Sequence, residues 1–98
     1  MMTKESIINI LQAHKKNLLQ LGVKNIGLFG SYVRGEAKKQ SDIDILIDFI
    51  PERENFDTFM QVYDYFENIF KSEKVEIITK NGLSPYIGPK ILNETIYV

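Results

Sequence analysis

The sequence predicts a small α+β domain. Three observations carry that reading. Apolar residues recur at helical spacing in two long stretches, one near the start and one in the second half. Short β-rich apolar segments, each five to nine residues, lie around and between them. No Pro/Gly-rich linker or shift of composition divides the chain, so residues 1–98 are expected to form one domain.

The elements follow in order. From Thr3 to Leu21, Ile7, Leu11 and Leu18 mark one helical face, with Ile8, Ile10, Leu19 and Leu21 beside it. Thr3 is the expected N-cap and Gly22 the expected stop. Val23 to Phe29 reads as a strand, and Ser31 to Arg34 as a single helical turn that Ser31 could cap. Glu36 to Gln40 is polar and reads as a surface loop. Ser41 to Phe49 reads as a buried strand, with Ile43, Ile45 and Ile47 on one face and Leu46 on the other. Pro51 ends it. Asn55 caps a second helix, whose Phe56, Phe59, Met60, Tyr63, Phe66 and Phe70 are read as a core face rather than a base-stacking platform. Lys74 to Thr79 reads as a third strand, Asn81-Gly82 as a turn, and Gly88-Pro89 as the start of a short helix with Pro89 at its first position. Ile96-Tyr97-Val98 ends the chain on apolar residues.

Composition excludes several classes. The 98 residues are 44% hydrophobic and 26% charged, the balance of a globular chain. The net charge of -1 offers no basic excess to neutralise a phosphate backbone, so stable duplex nucleic-acid binding is not expected. The absence of cysteine rules out a disulfide scaffold and a zinc-thiolate site, and suits the cytoplasm. The first residues do not resemble a secretory signal, and no apolar run approaches the roughly 20 residues of a membrane span.

The chemistry concentrates between Gly30 and Asp44. The stretch opens with Gly30-Ser31-Tyr32-Val33-Arg34-Gly35 and closes with Ser41-Asp42-Ile43-Asp44. Alternation along a strand points Asp42 and Asp44 the same way, about 7 Å apart along the chain. Two ionised carboxylates beside an apolar strand repel unless a cation lies between them. Mg²⁺ prefers oxygen ligands and commonly takes one or two carboxylates together with substrate phosphates. Gly30 lets the backbone approach a ligand, and Ser31 brings a hydroxyl donor. A metal site beside a phosphate cradle is the equipment of phosphoryl or nucleotidyl transfer. Arg34 has two uses open to it: a phosphate, or an ion pair with Glu36 or a metal-site carboxylate. Lys38 and Lys39 are read as solvated loop residues, either of which could steer a nucleotide, and His14, the only histidine, as a satisfied or half-exposed helix residue. No catalytic triad or zinc cluster can be assembled, and no Lys-Ser/Thr pair follows to make Gly30–Gly35 a Walker loop.

Gly30-Ser31-x-x-Arg34-Gly35 followed by Ser41-Asp42-x-Asp44 resembles the signature of the DNA-polymerase-beta-like nucleotidyltransferases. The short length resembles their minimal branch, the antitoxin-type proteins paired with HEPN-domain toxins. The resemblance covers roughly Val23 to Val98 and implies a mixed sheet flanked by helices, with the metal site at one edge. It implies two Mg²⁺ ions held by Asp42, Asp44 and a third acid. Glu76, an inward charge in Lys74-Val75-Glu76-Ile77-Ile78, matches that third position, where the branch usually carries aspartate. Gly30, Ser31, Arg34 and Ser41 are then the expected nucleotide-binding residues, with Ser41 capping or orienting Asp42. ATP is the implied donor, and a hydroxyl of a partner toxin the implied acceptor, since little chain remains to form an acceptor-recognition domain. Two rival classes follow from the same residues: a non-catalytic antitoxin that silences its toxin by occlusion, and a sensor that binds nucleotide without transfer.

Overall fold

A computed structural model describes residues 2–98; Met1, the first residue of the non-secretory start read from the sequence, lies outside the described residues. The elements are α1 (Lys4–Gln20), β1 (Val23–Phe29), α2 (Ser31–Arg34), β2 (Ile43–Phe49), α3 (Phe56–Ile69), β3 (Val75–Thr79), α4 (Gly88–Glu94) and β4 (Ile96–Tyr97). Single 3₁₀ turns at Pro51–Arg53 and Lys80–Gly82 join them. This is the expected α+β arrangement, a mixed four-stranded sheet with helices.

Local chemistry sets the helix ends. Thr3 and Ser6 form a reciprocal capping box: the Thr3 hydroxyl accepts from the Ser6 N–H at 3.1 Å, and Ser6 Oγ accepts from the Thr3 N–H at 3.0 Å. Asn55 caps α3 by accepting from the Thr58 N–H at 2.9 Å. Proline stands second in α4 rather than first, because Gly88 opens that helix.

The strands run in the order β3-β2-β1-β4. β1 pairs antiparallel with β2 and with β4, whereas β2 and β3 are parallel, α3 forming the connection between them. β4 is only two residues long, and the sequence marks it as an apolar end rather than a strand. It can lie against β1 because Gly27 has no side chain: a Cβ there would come within 2.3 Å of the Thr95 methyl.

The strand period divides the sheet into two faces. Ile26, Leu28, Ile43, Ile45, Ile47 and Val75 join Ile7, Leu11 and Leu18 of α1 and Val62 and Phe66 of α3 in the main core. Each such aliphatic side chain contributes roughly 1.5–3 kcal/mol by leaving water. Phe29 and Leu46 point the other way and meet Ile91 of α4 in a smaller cluster. Asp44 and Glu76 belong to this second face by the same alternation. The less thickly covered face of the sheet therefore carries the charged residues.

The α3 stripe differs from its reading in part. The buried ladder is Thr58, Val62, Phe66 and Phe70, spaced four apart, while Phe56 is 75% exposed and Met60 37%. Ring size dominated the pattern, but the i, i+4 row aimed at the sheet includes a threonine and a valine. Phe59 and Tyr63 instead pack on each other along the flank, ring centroids 6.5 Å apart. His14 hydrogen-bonds the Tyr65 hydroxyl between α1 and α3, a satisfied histidine.

Candidate active site

Three elements bring the acids together. Asp42 lies just before β2, and the Ile43 N–H donates to the Lys74 carbonyl at 2.9 Å, pinning the strand start against the start of β3. Asp44 and Glu76 are register partners across the parallel pair. Asp42, Asp44 and Glu76 each offer an oxygen, and these atoms all lie within 4.8 Å of one another. The two aspartates are half-buried and Glu76 is exposed.

The electrostatics are those of crowded like charges. Burial, followed by the neighbouring Glu76 charge and then Asp42, pushes the Asp44 carboxyl up to about 6, and Arg34 pulls it partly back. A cluster of three acids with an oxygen-only donor set fits a hard divalent cation, which would relieve that repulsion.

Gly30 joins β1 to α2 and is the N-cap of that short helix, with φ 83°; Ser31 is its first residue rather than its cap. The position requires glycine twice over. Positive φ strains an L side chain, and a Cβ would sit 1.9 Å from Asp44 Oδ2. The turn is thus packed directly on a carboxylate of the cluster.

Gly30, Arg34, Asp44 and Glu76 line one cleft of about 390 Å³, closed on the far side by Ile87, Lys90, Ile91 and Glu94 of the α4 region. Asp42 and Glu76 line a second hollow of about 360 Å³ with Tyr63 and Lys74. Glu76 is common to both hollows. Arg34 pairs with Glu36 at 2.8 Å, one of the partners the sequence offered, and with Glu94 at 3.0 Å. The hydrogen bonds to Glu36 and Glu94 raise its pKa further. Ser41 turns back into its own loop, its Oγ accepting from the Lys38 N–H at 2.7 Å. Ser31 is half-buried beside the cleft.

Glu94 is the residue that sequence reasoning missed. Its carboxylate accepts from the Gly30 N–H at 2.7 Å as well as from Arg34. Its partners lie 64 and 60 positions away, and no local pattern in Leu92-Asn93-Glu94 marks it. The return of β4 along β1, with Ile91 seated on Phe29 and Leu46, carries α4 to the turn.

The chain is similar to known proteins over nearly its whole length. Residues 7–98 match the family model described as a nucleotidyltransferase domain. The chain is 44% identical over 99 residues to protein adenylyltransferase MntA of Thermococcus cleftensis, covering all of this chain and 98% of that protein. It is 46% identical over 84 residues to a Methanocaldococcus jannaschii protein, MJ1215, that carries a provisional protein adenylyltransferase name; 85% of this chain and 95% of that one are covered. A solved structure described as a minimal nucleotidyltransferase superposes with a TM-score of 0.81 at 27% identity, over 97% of this chain and 95% of that one.

Proposed function

The chain belongs to the nucleotidyltransferase domain family, in its minimal branch, and on that premise we propose that it transfers AMP from ATP to a hydroxyl of a partner protein, a toxin of the HEPN type, as the antitoxin of a cytoplasmic pair. One observation carries the reading: three carboxylates converge within 4.8 Å beside a glycine turn packed against one of them. The names of the relatives support protein as the acceptor class and an adenylyl group as the cargo.

Asp42, Asp44 and Glu76 would hold the divalent ions, two Mg²⁺ in this reading. Bound there, they would supply charge neutralisation at the triphosphate and a more nucleophilic acceptor oxygen. The residues do the rest. Gly30 keeps the turn close to Asp44, leaving the cleft between the turn and α4 for the nucleotide. Lys90 on the α4 wall brings a positive charge to the polyphosphate. Glu76, at the meeting of the two hollows, stands between donor and acceptor. In the transfer, an acceptor oxygen bonds to the α-phosphorus and the bond from that phosphorus to the β-bridging oxygen breaks. Pyrophosphate leaves and the hydroxyl proton passes to solvent at the exposed Glu76 end.

The test is transfer from α-labelled ATP with Mg²⁺ to the co-encoded partner protein. Label on a hydroxyl side chain of the partner, lost in Asp42→Asn and Asp44→Asn, is the expected result. Neutralisation of the partner without label would replace transfer by occlusion, and ATP binding with neither would leave a sensor.

A further inference from the structure

Glu94 stands at the centre of a line of contacts that runs from the last helix to the acid cluster. Its carboxylate accepts from the Gly30 N–H at 2.7 Å and from Arg34 Nη1 at 3.0 and 3.1 Å. Gly30 in turn abuts Asp44, leaving no room for even a methyl group. Three residues before Glu94, Ile91 is buried against the Phe29–Leu46 cluster and anchors the helix that carries it. The Glu94 side chain is only 17% exposed, so this is not a loose surface pair.

Two consequences follow from the chemistry of these contacts. A charge-assisted bond to a backbone N–H fixes the Gly30 peptide in a conformation that glycine alone would sample among many. A carboxylate on Arg34 also occupies a guanidinium that would otherwise be drawn to Asp44 and Glu76, which face the same cleft. An arginine lying on those carboxylates would compete with a cation for them.

We propose that Glu94 is a positioning residue of the transfer site: it fixes the Gly30 peptide against Asp44 and holds Arg34 away from the metal-binding carboxylates. The last helix, which already walls the cleft, then also sets the shape of the glycine turn. The inference rests on the reading of Asp42, Asp44 and Glu76 as metal ligands, and its test separates the two.

The full chain and its Glu94→Gln and Glu94→Ala variants are compared by amide hydrogen exchange and by Mn²⁺ binding followed by electron paramagnetic resonance. Glutamine can still accept from the Gly30 N–H and from Arg34; alanine cannot. In Glu94→Ala the Gly30 amide is expected to exchange at least tenfold faster while β2 amides are unchanged, and Mn²⁺ to bind at least tenfold more weakly. Glu94→Gln is expected to keep Gly30 protection and to stay within about threefold of the wild type for Mn²⁺. Equal weakening in both variants would mean that Glu94 acts by charge alone and would overturn the proposal. Unchanged exchange and affinity in Glu94→Ala would overturn it too. Uniform acceleration of β2 amides would signal loss of the fold; Glu94→Asp, too short to reach both partners, then takes the place of alanine with the same expectations. A wild-type chain that binds no Mn²⁺ would defeat the metal reading, while Gly30 exchange would still decide whether Glu94 sets the turn.

Discussion

Asp44 and Glu76 face each other across neighbouring parallel strands, held in register by the backbone ladder. Their carboxylates are crowded by the geometry of the sheet. Burial and this neighbour push Asp44 up to about 6. The folded chain therefore holds that proton more tightly than the unfolded chain does. The contribution to stability is complete at low pH, below the ordinary carboxylate value, and is lost as pH rises through about 6. Asp44 is half-exposed, so solvent screening reduces the effect to about 1 kcal/mol. In metal-free buffer, Asp44→Asn should be more stable than the wild type at pH 7.5 and lose that advantage by pH 4. Urea denaturation at the two pH values checks the sign, and an advantage that grows on acidification would refute it.

Glu76 supplies the acid shared by the two hollows. Glu76→Gln keeps its shape and removes its charge. Transfer to the partner should fall at least a hundredfold, or about 2.7 kcal/mol of transition-state stabilisation. Glu76→Asp should retain activity, since aspartate is the usual residue there in the family it resembles. A loss of only a few-fold in Glu76→Gln would remove Glu76 from the ligand set.

Gly30→Ala combines a positive φ with a collision on Asp44 Oδ2. The backbone strain alone costs of order 1–3 kcal/mol. The carboxylate must move as well, so transfer should fall by more than the loss of folded protein explains. Thermal midpoint and specific activity, measured on the same sample, separate the two effects. Gly35→Ala is the control: Gly35 also has positive φ, but nothing lies within 4 Å of an added Cβ.

The Tyr32 hydroxyl is buried and has no hydrogen-bond partner among the described residues. Burial first, and the Glu73 charge second, raise its pKa. Tyr32→Phe removes a desolvated group without opening a cavity, so stability should rise by about 1 kcal/mol. A fall in the denaturation midpoint would show that the hydroxyl is satisfied in solution.

The parts of this molecule that could be read in its sequence are those governed by short-range rules. Ile43, Ile45 and Ile47 announce a strand with one core face, and the same alternation places Asp44 opposite them. Thr3 and Asn55 cap where their chemistry says they should. Long-range placement was the limit. The approach of Asp44 to Glu76 depends on a parallel register that no single strand encodes. The pairing of Glu94 with Gly30 depends on a two-residue strand too short to show a period. Ser41 reads as a partner of Asp42, yet it sits at a loop closure where the nearer Lys38 N–H claims its oxygen.

Asp44 rides on β2, whose backbone is paired on both sides, with Phe29 of β1 and with Glu76 of β3. Amides in such an inner strand open with the protein as a whole, whereas exposed loops open at little cost. The carboxylate at the middle of the proposed metal site is thus carried by an inner strand of the sheet. The exposed run of loop from Glu36 to Gln40, broken only at Ala37, lies outside that paired strand and opens at lower cost. Heating should therefore abolish the cluster and the fold in one step, so that protease nicking within that run before the midpoint leaves the carboxylates assembled.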